Sequence, residues 1–190
     1  MKLHAAAVFS LLPLAVAVPA VPATAASKCP VGVWQLTKYE KKAVSKVYDT
    51  ALKSRGMSGT KVKIAANGAF TYDFEKSAKL VTSGRTNNVP IAETALYRRV
   101  LKHKASWKGG KVLVKRSTAT GTARVKTVQR KPQRSSRVER VAPLVRAEQD
   151  TIVPVGRVTY TCRPGTLHLK RTIKLDSRGG LEVTHWWFGR

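Results

Sequence analysis

Side chains able to do bond chemistry are few in this chain, and they stand apart. After the first 26 residues the histidines are His103, His168 and His185, far from one another along the sequence. A metal site needs His, Cys, Asp or Glu at close or convergent spacing, and only His185, expected beside Arg171 across the last hairpin, has a charged neighbour worth naming. Nucleophilic catalysis needs a Ser or free Cys next to a base that a carboxylate orients. No G-x-S-x-G turn is present, and Asp73 and Glu75, which share a face of one strand, read as solvent-facing acids among many cations. Neither a phosphate-cradling loop nor a dinucleotide fingerprint occurs. The chain therefore reads as non-enzymatic, with no cofactor and no metal.

Charge is the stronger signal. Lys plus Arg number 36 against 10 Asp plus Glu, a formal net charge of +26. Between Arg98 and Arg146 there are sixteen Lys or Arg and one acid, Glu139. Alternation along strands puts Lys111 and Lys115 on one face, so a cationic surface can form from Lys102, Lys104, Lys111, Lys115, Arg116, Arg124, Lys126, Arg130, Lys131 and Arg134. Such a surface attracts acidic polysaccharide, phosphate polymers, nucleic acid or anionic lipid headgroups as point charges, without sequence preference and with steep salt sensitivity. Only Tyr97 and Trp107 lie among these cations, too few for a base-stacking platform. The alternative is that the charge serves solubility alone.

The chain start indicates where these groups act. Lys2 and His4 precede an apolar run from Ala5 to about Ala20, and Ala23-Thr24-Ala25-Ala26 closes it. That is the order of a secretory signal peptide, which assigns 1–26 to the leader, with cleavage near Ala25 or Ala26, and 27–190 to one secreted domain. Pro13 and Pro19 interrupt the run, which is too short to cross a bilayer, and no later segment reaches spanning length. Two cysteines, Cys29 and Cys162, allow one intramolecular bridge in an oxidising compartment. Closing so long a loop contributes on the order of 5 kcal/mol in the chain-entropy model.

The elements that carry these groups are mostly strands. In Lys61 to Glu75, Val62, Ile64 and Ala66 alternate before Asn67-Gly68, and Phe70, Tyr72 and Phe74 alternate after it. A hairpin with 67–69 unpaired sets Ala66 opposite Phe70, Ile64 opposite Tyr72 and Val62 opposite Phe74. At the far end a loop over 176–180 sets Leu175 opposite Leu181, Ile173 opposite Val183 and Leu169 opposite Trp187. Val158, Tyr160 and Cys162 alternate before Arg163-Pro164-Gly165, which turns Cys162 toward the core. Tyr97 to Trp107, Lys111 to Arg116 and Thr122 to Gln129 read as further strands, and Arg130 to Arg137 as a solvated loop. Val44, Val47, Tyr48, Ala51 and Leu52 have helical spacing ahead of Gly56, which predicts an amphipathic helix over 43–55. A second, short helix is signalled at Ser136 by Glu139 three residues on, and Pro143 cuts it off.

Cys29-Pro30-Val31-Gly32-Val33-Trp34 opens the domain, and Gly32-x-Trp34 on a first strand resembles the signature of lipocalin-like, or calycin, barrels. The resemblance implies an all-β, antiparallel up-and-down barrel whose floor Trp34 closes, with a basic residue after the last strand, here Arg190, packed across it. Tyr160-Thr161-Cys162 followed by Gly165 also resembles the late cysteine of small secreted bacterial members, which implies the Cys29–Cys162 pairing. By the same resemblance the interior is lined by Ile64, Tyr72, Phe74, Leu169 and Trp187 and receives a small apolar ligand. The expectation is thus a mainly β lipocalin-like barrel with one short amphipathic helix and one disulfide. Its function is ligand binding, or alternatively polyanion binding through the basic surface.

Overall fold

The computed structural model describes residues 30–149 and 152–190, so the leader and Cys29 lie outside the described residues. In chain order the elements are β1 (Gly32–Ser45), β2 (Thr50–Gly56), β3 (Lys61–Ile64), β4 (Ala69–Asp73), β5 (Leu80–Thr86), β6 (Val89–Arg98) and β7 (Val100–Lys108). There follow β8 (Lys111–Gly121), β9 (Arg124–Lys131), β10 (Ser135–Arg140), α1 (Val141–Arg146), β11 (Gly156–Arg163), β12 (Thr166–Lys174) and β13 (Leu181–Gly189). Strands β1, β13, β12, β11, β8, β7, β4 and β3 pair in that order, and β3 pairs back onto β1, which closes an eight-stranded antiparallel barrel.

The remaining strands extend the barrel. A run of chain that is long but broken at one level forms both halves: β2 passes into β3 through 57–60, β4 into β5 through 74–79, β6 into β7 at Arg99, and β8 into β9 through 122–123. Above the breaks the ladder continues as β1-β2-β5-β6-β9-β10. The upper wall does not close, because β10 pairs only with β9 while β12 pairs with β11 and β13. Helix α1 and its flanking residues cover that side: Val141 and Val145 are buried, Arg146 Nη1 donates to Ala119 O at 2.6 Å, and Trp186 Nε1 donates to Ile152 O at 2.7 Å.

Alternation in the sequence produces this architecture. Every second residue of β3 and β4 is buried, so Val62, Ile64, Phe70 and Tyr72 point inward while Lys61 and Lys63 point out. Trp34, Tyr39, Phe70, Phe74 and Trp186 are among the largest fully buried side chains. Each such burial contributes roughly 1.5–3 kcal/mol relative to exposure. Gly109 and Gly110, at φ 55° and 71°, form the tight β7–β8 turn, a two-residue link whose twist matches that of the strands it joins.

Several sequence expectations need correction. Residues 43–55 form no helix: they are the end of β1, a turn, and β2, with Ala43 paired to Leu52. Val44, Val47 and Tyr48 are exposed, because the turn at 46–49 joins two period-two runs and mimics helical spacing. The short helix is α1 instead. Ser136 and Glu139 lie in β10, and Pro143 is tolerated in the first turn of α1, where a missing N–H breaks no helical bond. Most of the supposed loop over 130–137 is strand, paired as Ser135 to Gln129 and Arg137 to Thr127. Tyr97 to Trp107 is two strands, interrupted where Arg99 takes φ 68°.

Both hairpins are present with shifted registers. In the first, Ala65 N donates to Ala69 O and Asn67 Oδ1 accepts from Ala69 N, so 66–68 is the loop and Ile64 meets Phe70. That shift is even and keeps both apolar rows inside. In the last hairpin the Asp176 carboxylate accepts from Arg178 N and Gly180 N, both at 2.8 Å, and Leu175 N donates to Gly180 O. The loop is therefore one residue shorter than expected, Leu169 meets Trp186, and Leu167 meets Phe188. An odd slip exchanges the faces: Trp186 is inside and Trp187 outside.

Candidate functional site

At the closed end the indole of Trp34 is 1% exposed and donates from Nε1 to Pro30 O at 2.7 Å. Arg190 lies over that ring, its guanidinium carbon 4.3 Å from the centroid, and its Nη2 donates to Val31 O at 2.8 Å. Gly32 makes room for it. Its φ is 142°, and a Cβ there would stand 2.7 Å from Arg190 Nη2. The three residues named from the sequence, Gly32, Trp34 and Arg190, thus meet in one cap.

Above the cap the lower barrel is filled. Ile64, Tyr72, Phe74 and Leu169 are all buried in one continuous core. Phe70, Tyr72 and Phe74 stack in sequence, with centroids 6.0 and 6.1 Å apart. His103 lies 5.2 Å from both Phe70 and Tyr72. Neither ring nitrogen of His103 has a hydrogen-bond partner among the described residues, nor has the Tyr72 hydroxyl or Trp107 Nε1. Burial pushes the His103 pKa down to about 3 and raises that of Tyr72. Both therefore stay neutral at ordinary pH.

Trp187, the fifth residue expected in the interior, is on the outer face. It lies 5.0 Å from both His168 and His185, and Lys38 Nζ sits 4.8 Å over its ring. His168 Nε2 and His185 Nδ1 share a hydrogen bond of 2.9 Å, and burial first, then neighbouring positive charge, lowers both pKa values. His185 pairs with Lys170 rather than standing beside Arg171. No cluster of three or more His, Cys, Asp or Glu arranged to hold a metal occurs among the described residues.

Open space lies in the upper half and also on the outer face, where Lys42, Val44, Leu181, Val183 and Trp187 line a groove of about 520 Å³. A cavity of about 470 Å³ is enclosed by β1, β2, β5, β6, β9 and β10, with Leu144 and Ile152 on the helical side. Cross-strand pairing sets its residues in layers. Lys41 pairs with Ser54, Ser54 with Thr82, and Thr82 with Glu93, which makes one polar belt. Ser54 Oγ and Thr82 Oγ1 are hydrogen-bonded at 2.9 Å, and Lys41 Nζ lies 3.7 Å from Glu182. Leu80, Ala95 and Tyr97 lie deeper on the same walls, while Leu52 and Ile91 lie nearer the mouth. Thr86, Thr127, Gln149 and the ion-paired Arg137 and Glu139 add further polar lining, so the wall as a whole is as polar as it is apolar. These lining residues were not legible as a site, because 43–55 read as helix and 80–96 showed no clear period.

The cations named from the sequence point outward. Lys104 pairs directly with Lys115, Lys108 with Lys111, and Arg124 with Arg140. Lys102 shares the outer face of β7 with Lys104, and Lys126 that of β9 with Arg124. Arg130, Lys131 and Arg134 are exposed at the β9–β10 turn. Among the described residues Arg116 alone of the ten is in an ion pair, with Glu148 at 2.7 Å. Cys162 is half-buried against the core on β11; its expected partner Cys29 lies outside the described residues. No helix among the described residues is long and apolar enough to cross a membrane. Compared with known proteins, the chain matches no family model, no curated protein and no solved structure.

Proposed function

We propose that this is an exported, non-enzymatic, lipocalin-like binding protein that carries a small, mainly apolar molecule in the upper half of its barrel. The observation that carries this reading is the cavity of about 470 Å³ standing over a packed lower half. That volume is within the range of small-molecule sites, and its wall, as polar as it is apolar, is more polar than is usual for them. The belt of Ser54, Thr82 and Glu93 favours a ligand with one hydrogen-bonding group part-way along its length. The Gly32, Trp34 and Arg190 cap supports the lipocalin-like assignment, and a Cys29–Cys162 bridge would fasten the chain start to β11.

Native mass spectrometry of the protein recovered after export tests this directly. A stoichiometric small-molecule adduct, lost when Thr82→Trp fills the lumen, is the expected result. No adduct, together with no saturable uptake of an apolar fluorescent probe, would end the proposal.

A second reading is polyanion binding along the outside of β7, β8 and β9. It is favoured by the facing pairs Lys104–Lys115 and Arg124–Arg140, none of which has an ion-pair partner among the described residues. Like charges directly opposite destabilise a sheet, so an anion laid between them relieves a native strain.

A further inference from the structure

Four turns lie around the cavity mouth, at 46–49, 87–88, 132–134 and 175–180. Two kinds of side chain project from them. Val47 (44% exposed) and Tyr48 (51% exposed) are on the first turn, and beside it Val44 and Leu181, which pair with each other, are also exposed. Val89 follows the second turn and is exposed too. Among them stand Lys46, Arg130, Lys131, Arg134, Lys174 and Arg178, all exposed and none in an ion pair among the described residues.

The acids at this end are engaged in holding the turns. Asp49 binds Arg85 Nε at 3.2 Å and Asn88 N at 3.1 Å, tying the first turn to the second. Asp176 accepts from Ser45 Oγ and from its own turn. The hydrogen bond from Ser45 leads the causes that lower its pKa, so it stays ionised and occupied. The turns at the opposite end carry Asn67-Gly68, Gly109-Gly110 and Pro164-Gly165, with no large apolar side chain at their tips, and the exposed apolar groups there, Val31 and Val33, lie at the start of β1.

We propose that the mouth of the barrel docks on an anionic lipid bilayer, with Val47 and Tyr48 entering the headgroup region and the surrounding Lys and Arg contacting lipid phosphates. Cations alone would suit any polyanion. Apolar side chains on projecting turn tips suit a surface with a hydrocarbon interior, where buried apolar area and attraction to anionic headgroups add. Tyrosine, with an apolar ring and a polar tip, fits that boundary. The contact depends on the rim and not on what the lumen holds, and it orients the lumen toward the bilayer.

Vesicle sedimentation with the exported protein tests it, using phosphatidylglycerol–phosphatidylcholine vesicles and pure phosphatidylcholine vesicles. Binding should be confined to the anionic vesicles. Replacing Val47 and Tyr48 by Ser should weaken it on the order of tenfold. Replacing Arg130, Lys131 and Arg134 by Gln should weaken it on the order of 100-fold, at about tenfold or less per charge. Lys104→Gln with Lys115→Gln, far from the mouth, should leave it unchanged, as should Thr82→Trp. Equal binding to neutral vesicles, parent-like binding by the rim variants, or loss confined to the Lys104 and Lys115 variant would each overturn the proposal. Loss in Thr82→Trp would also overturn it, by making the contact depend on the lumen. The adduct experiment reads ligand carriage separately, so either idea can fail alone.

Discussion

The guanidinium of Arg190, just past β13, lies 4.3 Å over the indole of Trp34 near the start of β1, and so ties the last strand to the first. The pair is desolvated on the indole side and anchored by Arg190 Nη2 to Val31 O. Arg190→Ala should therefore cost about 1–2 kcal/mol in urea unfolding, the range of a partly desolvated cation–π contact. Lys should restore part of it, since the charge returns without the flat stack or the fork of donors. Gly32→Ala should cost more than Arg190→Ala, because it combines a strained φ of 142° with a clash against the same guanidinium. A parent-like midpoint in Arg190→Ala would mean that the cap is ornamental to stability.

His103 predicts a pH dependence. Its pKa is about 3 in the fold, against an ordinary value near 6.5, because burial disfavours the charged ring. Above pH 6.5 the ring is neutral in both folded and unfolded states and adds no pH dependence. As pH falls from about 6.5 to about 3, only the unfolded chain takes up the proton, so stability drops by about 1.4 kcal/mol per pH unit across that window. His168 and His185 act in the same direction but are far less buried and contribute less. His103→Phe, set among Phe70 and Tyr72, should remove most of the acid slope in unfolding experiments between pH 4 and 7. An unchanged slope would place the acid sensitivity elsewhere.

The lower strands were legible because they alternate strictly: Val62, Ile64, Phe70 and Tyr72 can face only one way in a half-buried sheet, while their closure into a barrel was expected from the resemblance alone. Gly32, Trp34 and Arg190 were singled out only through the resemblance to lipocalin-like barrels, since nothing in their types or spacing alone brings the first strand to the last. The upper cavity was not legible. Its walls mix Ser54, Thr82, Glu93 and Thr127 with apolar residues, and that mixture erases the period that marks a packed strand. The face of Trp187 turned on one residue of loop length, which the Asp176 carboxylate decides through its bonds to Arg178 N and Gly180 N. Composition carries no record of such a local choice.

The cysteines give a prediction that needs no ligand. If Cys29 and Cys162 are bridged, the exported protein is 2 Da lighter than its dithiol form by intact mass, as loss of two hydrogens requires. Reduction should lower the unfolding free energy by on the order of 5 kcal/mol, less any strain relieved. Cys162→Ala should reproduce that loss, and adding reductant to the variant should lower it no further. Two alkylatable thiols in the native exported protein would exclude the bridge.

Lys104 and Lys115 separate surface charge kept for solubility from surface charge kept for a partner. They pair directly across β7 and β8 with no acid among the described residues joining them, so Lys104→Glu should stabilise the fold by roughly 0.2–1 kcal/mol at low salt, by turning repulsion into attraction. The gain should shrink as salt is raised, since the groups are exposed and screened over about 10 Å at 0.1 M. If the pair serves anion binding, the same substitution should lower retention on a polyphosphate or acidic polysaccharide column and flatten its salt dependence. Stabilisation with unchanged retention would leave the β7–β8 wall without a polyanion role, and the cations at the mouth would then account for any affinity that remains.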